Sequence, residues 1–178
     1  MLVRIINSLR HRIWNPIVQK YILNSVYKHG EDINIGENVN ISGYYNLSLG
    51  SHVYIGDGAR FLCTEAPIHI GDYCMFGPEV MIITGNHRID KIGEYMYDVK
   101  DKLPENDEPV IISDDVWVGA RAIILKGTNI GKGSVIAAGA IVSGSIPEYS
   151  IYYAKGKIKP RFNDDELRNH VKEMKKND

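Results

Sequence analysis

The chain has 178 residues, 44% of them hydrophobic and 24% charged, with a formal net charge of −1 at pH 7. That is enough sequence for one soluble domain with its own core, and the balance lacks the basic excess of a nucleic-acid-binding module. Cys63 and Cys74 form neither a CxxC pair nor a secreted-type framework, and no apolar run is long enough to span a bilayer. Without a recognisable secretory signal, free thiols in a reducing, cytoplasmic setting are the expectation.

Residues 2–27 predict helix. Val3, Ile6, Leu9, Ile13, Ile17 and Tyr21 form a stripe at three- and four-residue steps. Pro16 should break it near Asn15, giving two short helices. Arg4, Arg10, Arg12, Lys20 and Lys28 are basic, and no acid appears before Glu31. Two readings follow. The favoured one is a cap, residues 1–30, over the open end of a repeat structure, where a sheet edge would otherwise be exposed. The other is peripheral contact of residues 1–28 with an anionic membrane.

From Ile35 an aliphatic residue returns every sixth position, as in Ile35-Gly-Glu-Asn-Val39, Leu49-Gly-Ser-His-Val53, Ile55-Gly-Asp-Gly-Ala59, Ile70-Gly-Asp-Tyr-Cys74 and Phe76-Gly-Pro-Glu-Val80. The register shifts between Leu47 and Leu49, and residues 64–67 read as a small external loop. Between Ile112 and Val142 the period runs without a slip through Val118, Ile124, Ile130 and Ile136. The fifth places there are small or β-branched: Val116, Ala122, Thr128, Ser134 and Ala140. A period of six fits neither an amphipathic helix nor an alternating strand. It fits a hexapeptide β-helix, in which three hexads close one triangular coil and coils stack as a solenoid. First and fifth places should point inward, which makes Cys74 a core residue. Residues 31–162 are therefore assigned to the solenoid.

Residues 84–109 hold no hexads and leave the stack as a long polar loop, which is where function tends to lie. After Val142 the repeat ends. Residues 151–162, if one extended strand, place Lys155, Lys157, Lys159 and Arg161 on one face, either as a phosphate site or as a solvated edge. Asn163 followed by Glu166 marks the start of a C-terminal helix over 163–178.

His87 falls in the sixth place after Ile82, where the loop departs, and Asn86 puts an amide in the fifth place, where small residues are the rule. Imidazole suits a general base, yet a surface histidine at a turn fits the spacing equally. His69 occupies the corresponding place one coil earlier, so the two rings are expected to stack near the ~4.8 Å strand spacing. With His52 facing elsewhere, too few ligands converge for zinc, and no metal is expected.

The segments Asp115-Val-Trp117-Val-Gly-Ala120, Ile124 to Val142, and Ile146-Pro-Glu-Tyr-Ser150 resemble the hexapeptide-repeat acyltransferases, and most closely their maltose, galactoside and polysaccharide O-acetyltransferase branch. The resemblance covers about residues 33–162. It implies an all-β solenoid, a left-handed parallel β-helix. It also implies a homotrimer that binds acetyl-CoA between subunits and acetylates a hydroxyl of a sugar or polysaccharide precursor. His87, following Thr84-Gly-Asn86, matches the family's catalytic base. Ala120 and Ala138 match backbone contacts to the pantetheine arm, Ser143 a contact near the end of the repeat, and Arg161 one near the 3′-phosphate. The family's Lys after Ser143 is Gly144 here, and its Gly-x-Pro-Ala turn is Ala154-Lys-Gly-Lys157, so Lys155 or Lys157 is the candidate replacement. The alternatives are an N-acetyltransferase on an amino sugar or xenobiotic, a metal-dependent hydratase and a non-catalytic scaffold.

Overall fold

The computed structural model describes residues 15–153 and 156–175. The repeat builds three parallel sheets that form the sides of a triangular prism, a left-handed parallel β-helix of about six turns. The first sheet stacks β1 (Lys28–His29), β4 (Leu47–Leu49), β7 (Ile68–Ile70), β10 (Val110–Ile112), β13 (Asn129–Ile130) and β16 (Ser145–Ile146). The second stacks β2 (Asn34–Ile35), β5 (Tyr54–Ile55), β8 (Met75–Phe76), β11 (Trp117–Val118), β14 (Val135–Ile136) and β17 (Ser150–Tyr152), and ends on β18 (Ile158–Pro160). The third stacks β3 (Asn40–Ser42), β6 (Arg60–Leu62), β9 (Met81–Ile83), β12 (Ile123–Ile124) and β15 (Ile141–Val142).

The sixfold period becomes this prism because each hexad is one short strand and one corner. First-place residues Ile112, Val118, Ile124, Ile130, Ile136 and Val142 are all buried, and so are the fifth-place Val116, Ala122, Thr128, Ser134 and Ala140. Each fully buried aliphatic side chain contributes roughly 1.5–3 kcal/mol. The two polar fifth places satisfy themselves. Thr128 Oγ1 donates to the Leu125 carbonyl, and Ser134 Oγ donates to Pro147 O at 2.8 Å. In the regular coils Trp117 pairs with Val135 and Ile123 with Ile141, which is three hexads per turn.

The second-place glycines are required by close stacking rather than by flexibility. A Cβ on Gly77 would lie 2.6 Å from Ala120 N, and one on Gly119 2.6 Å from Ala138 N. Where a corner is built this way, the third-place carboxylate of the next coil reaches back across the glycine. Asp57 accepts from Glu37 N at 2.7 Å, Asp72 from Ser51 N at 2.7 Å and Asp114 from Asp72 N at 3.0 Å. The corners are thus tied vertically by side chain as well as by the sheet ladders. The fourth place turns the corner in the left-handed region, through Gly133 at φ 69° but also through Tyr73 at 58° and Arg121 at 60°. Such non-glycine positions are costly and persist where packing imposes them.

At the N-terminal end, α1 (Asn15–Ser25) carries Pro16 in its first turn, where its missing N–H costs nothing. Ile22 and Val26 of this segment join the core. Gln19 imitates a neighbouring strand: its amide donates to Ile33 O at 2.6 Å, and its carbonyl accepts from Ile35 N at 3.5 Å. The first of the two expected helices lies outside the described residues. No helix among the described residues is long and apolar enough to cross a membrane.

At the other end the expected single strand over 151–162 is a hairpin. β17 and β18 pair antiparallel, Ile151 opposite Lys159, with Gly156 at φ 74° in the turn. Tyr152 closes the core, its hydroxyl donating to Ile141 O at 2.9 Å. α2 (Asp164–Met174) starts on the expected capping box, in which Asn163 accepts from Glu166 N and the Glu166 carboxylate accepts from Asn163 N, both at 2.9 Å.

Candidate active site

The departures from the sixfold period collect at one edge of the prism, where the third sheet hands over to the first. A 3-10 turn, η1 (Tyr44–Asn46), occupies this edge in the first coil, and the 64–67 loop occupies it in the second. The 84–109 excursion occupies it in the third. These insertions bond to one another. Asn46 Nδ2 donates to Cys63 O at 2.9 Å, Tyr45 Oη to Thr64 O at 3.0 Å, and Thr84 Oγ1 to Leu62 O at 3.1 Å.

The excursion begins by alternation, not by hexad. Val80, Ile82 and Thr84 all point inward, and the chain then leaves the coil at Gly85. Asn86 is exposed, so the expected inward amide in the fifth place is not what the structure shows: Thr84 fills that role two residues earlier. The feet of the excursion are zipped together. Gly85 bridges Asp107, Glu108 N donates to Thr84 O at 2.9 Å, and Asn86 N donates to Asn106 O at 2.9 Å. Asn106, nearly buried, donates through Nδ2 to Asn86 Oδ1 at 2.9 Å and accepts from Leu103 N at 2.7 Å. Lys126 of the next coil ties the far foot down, bonding Glu108 Oε2 at 2.6 Å and the Glu105 carbonyl.

His87 stands directly above this clasp, exposed, with no side-chain hydrogen bond among the described residues. The next residue anchors the arm that carries it. Arg88 donates to Asp90 at 2.8 Å and also bonds Asp101. The bond from Arg88 holds the Asp90 carboxyl below its usual range, and Asp90 in turn raises the Arg88 guanidinium. A cavity of about 210 Å³ lies on one side of His87, walled by Leu62, Thr64, Thr84, Lys102 and Asp107. Lys102 is paired with Asp107 at 2.8 Å.

His69 does not stack on His87. It sits in β7 of the first sheet between Ser48 and Ile111, whereas His87 follows β9 of the third. Two different sheets separate the pair that a shared hexad place had suggested. His52 is engaged elsewhere, accepting or donating at 2.9 Å with Asp32 and stacking on Tyr73 at 4.6 Å. Among the described residues no group of three or more His, Cys, Asp or Glu converges to hold a metal. The thiols are poor nucleophiles: burial pushes Cys63 up to about 11 and Cys74 up to about 12, and Cys74 donates to Ser113 O at 3.1 Å.

The residues expected at the cofactor lie on three edges. Ala120 and Ala138 sit one above the other between the second and third sheets, linked where Gly139 N donates to Ala120 O at 2.9 Å. The third places here are the methyl groups of Ala120 and Ala138, flanked below by the exposed Arg121–Glu79 ion pair at 2.6 Å, and a Cβ at Gly139 would meet open space. Ser143 is exposed on the same edge as His87, two coils further on. Arg161 is at the third edge, its guanidinium bonded to Asp115 at 3.2 Å and to Gly133 O at 2.8 Å. Lys157 is exposed beyond the hairpin turn, and Lys155 lies outside the described residues. Within one chain, the Ala120–Ala138 edge and His87 are separated by the width of the third sheet. Trp117 projects outward from the second sheet between Met75 and Val135.

The clasp of Asn86 with Asn106 and the anchoring of Arg88 by Asp101 were not found from the sequence. They join positions with no periodic relation. The Pro104-Glu-Asn106 turn, which becomes η2 (Pro104–Asn106), marked where the returning foot begins.

The family pattern described as the hexapeptide repeat of succinyl-transferase matches residues 109–143. A galactoside O-acetyltransferase from Lactococcus lactis subsp. lactis (strain IL1403) is 33% identical over 143 residues, 76% of this chain and 66% of that protein. The chain spans 39–66% of the length of four such curated relatives. Among solved structures, a maltose O-acetyltransferase from Clostridium difficile 630 superposes with a TM-score of 0.64 at 26% identity, covering 82% of this chain and 75% of that one. A hexapeptide-repeat acetyltransferase from Vibrio cholerae O1 biovar eltor, complexed with acetyl-coenzyme A, superposes at 0.72 and 23% identity over 82% and 78% of the two chains, a likeness of fold.

Proposed function

We propose, from the premise that this chain belongs to the hexapeptide-repeat acyltransferases of the galactoside and maltose O-acetyltransferase branch, that it transfers an acetyl group from acetyl-CoA to a hydroxyl of a sugar or polysaccharide precursor. The observation that carries this reading is His87. It is an exposed imidazole fixed at the mouth of a cavity by the Asn86–Asn106 clasp on one side and the Arg88 ion pairs on the other.

The Ala120–Ala138 edge fits the pantetheine arm. Its third places are methyl groups, and Gly119 sets the backbones of its two coils against each other. Acetyl-CoA supplies the acetyl group as an activated thioester. His87 takes the proton of the acceptor hydroxyl as its oxygen bonds to the acyl carbon, and returns that proton to the departing sulfur. Holding both substrates against one scaffold supplies much of the rate. Neither thiol is needed as a carrier, in keeping with the burial of Cys63 and Cys74. Since one chain keeps its smooth edge and its His87 on different sides of a sheet, the reading takes the protein as a homotrimer. A second copy then brings its edge to the first copy's histidine. Arg161, Lys157, Lys155 and Ser143 remain the candidates for the distal end of CoA. Arg161 would have to exchange its Asp115 bond for phosphate.

The free thiols suit a reducing cytoplasm. The packing of α1 on the first coil supports the cap reading of residues 1–30. Binding to anionic vesicles that is lost at high salt would support the membrane reading instead.

The test is acetyl-CoA consumption against a panel of sugars, nucleotide sugars and amines. His87→Ala should lower transfer by roughly 10²–10⁴-fold while calorimetry still records CoA binding. Retained transfer would remove His87 from its role, and a preference for amines over hydroxyls would replace the O-acetyl reading with the N-acetyl one.

A further inference from the structure

Charge is divided unevenly along this chain. Residues 1–30 hold Arg4, Arg10, Arg12, Lys20 and Lys28 and no acid, whereas residues 31–178 hold 16 Lys and Arg against 22 Asp and Glu, a net charge of −6. A cationic end on an otherwise acidic molecule is suited to an anionic surface. The nearest acids, Glu31 and Asp32, follow in the first coil, and Asp32 is paired with His52 at 2.9 Å.

α1 caps the stack with one face only. Ile22 and Val26 enter the core, and Gln19 bonds the first coil at Ile33 O and Ile35 N. At 3.6 residues per turn the opposite face carries Ile17, Lys20, Tyr21 and Asn24, and all four are exposed. Ile17 is 57% and Tyr21 65% exposed, and Tyr27, next to the exposed Lys28, is 74% exposed. Apolar side chains and cations therefore share the side of the helix turned away from the coils. The cap and membrane readings of residues 1–30 engage different faces of the same helix.

Residues 1–14 precede this face and lie outside the described residues. Their sequence sets Ile5, Ile6, Leu9, Ile13 and Trp14 among Arg4, Arg10 and Arg12. Such a mixture matches the headgroup boundary of a bilayer, where cations meet phosphate, aliphatic side chains enter the acyl region, and Tyr and Trp sit between. A nucleic acid would match the charge and leave the apolar side chains in water. α1 has 11 residues, too few to span a bilayer, so its contact is with the surface.

We propose that the N-terminal end of the prism docks on the surface of an anionic phospholipid bilayer, through the outer face of α1 and residues 1–14. The contact is independent of the acetyltransferase reading, since it uses no residue of the His87 site or of the Ala120–Ala138 edge.

The experiment is co-sedimentation of the full chain with vesicles of phosphatidylcholine alone, and of phosphatidylcholine with about one-third phosphatidylglycerol, in about 0.05 M and about 0.5 M salt. The anionic vesicles should bind the protein at the lower salt and release it at the higher, and the neutral vesicles should bind it roughly 10²-fold more weakly. Arg4→Gln, Arg10→Gln and Arg12→Gln together should weaken binding to the anionic vesicles by roughly 10²-fold. Lys20→Gln with Lys28→Gln should weaken it by about tenfold, and so should Ile17→Ser with Tyr21→Ser. These last four side chains are exposed, so both pairs should keep the wild-type melting temperature. Absence of binding to the anionic vesicles, equal binding to the neutral ones, an affinity that salt leaves unchanged, or wild-type binding by all three variants overturns the proposal. So does tighter binding to a short DNA duplex than to the anionic vesicles at the same salt, which would assign the cationic end to nucleic acid.

Discussion

Two edges of the prism, built by the same repeat, have opposite characters. Between the second and third sheets the corners at Ala120 and Ala138 repeat without interruption, each glycine set against the backbone of the next coil. Between the third and first sheets, three successive coils insert η1, the 64–67 loop and the 84–109 excursion. At the first edge the second places Gly77 and Gly119 admit no Cβ, whereas the second edge accepts whole segments. The difference lies in what each corner must satisfy. At the smooth edge the neighbouring coil is already within van der Waals contact. At the other edge Leu62, Thr84 and Asn106 supply their own hydrogen bonds to whatever departs.

The contrast makes the stack more sensitive to damage at the first edge than at the second. The largest effect expected is the loss of transfer in His87→Ala. Gly119→Ala tests the smooth edge. Its methyl would sit 2.6 Å from Ala138 N, and the expected cost is about 1–3 kcal/mol of unfolding free energy by denaturant titration. Unchanged stability would show that the coils can part, and would weaken the claim of tight stacking. Asn106→Ala tests the clasp. It strands Leu103 N and frees Asn86, so kcat should drop by about an order of magnitude through misplacement of His87. Its melting temperature should fall less than that of the glycine variant, since the excursion lies outside the stack.

The smallest effect separates the two cysteines. Both thiols titrate higher folded than unfolded, so their contribution is complete below the unfolded value of 9.0 and is lost as pH rises beyond it toward about 11 for Cys63 and about 12 for Cys74. Melting temperature should therefore decline above pH 9. Cys74→Ala, in the regular stack, should flatten that decline more than Cys63→Ala at the edge of insertions. Equal flattening would deny any difference in burial between the two places.

The stack was legible in the sequence because each inward place is fixed by local chemistry. A reader of Ile112 to Val142 can name every core residue, and Asn163 with Glu166 announces the last helix. The period is informative only while the chain stays in the coil. It misplaced Asn86, because departure begins by simple alternation through Ile82 and Thr84. It suggested that His69 and His87 stack, because a place in a hexad does not say which sheet follows. It read 151–162 as one strand, because the reversal at Gly156 depends on pairing with β17 rather than on a repeat. His87 was singled out by its position and by resemblance. The groups that hold it were not, since Asn106 and Asp101 come from the returning limb.

The zipped feet of the excursion carry a consequence for how this fold can change. Thr84 to Asn86 and Asn106 to Glu108 close on each other before the chain re-enters the stack, and Lys126 fastens the seam. Eighteen residues, 88–105, therefore hang from a closed collar, which Lys126 of the coil beneath grips at the Glu105 carbonyl. Because loop-closure entropy grows slowly with length, that segment behaves as an interchangeable cassette. On the acetyltransferase reading, a descendant chain can acquire a new acceptor by replacing it whole, while keeping the histidine at its root and the stack beneath.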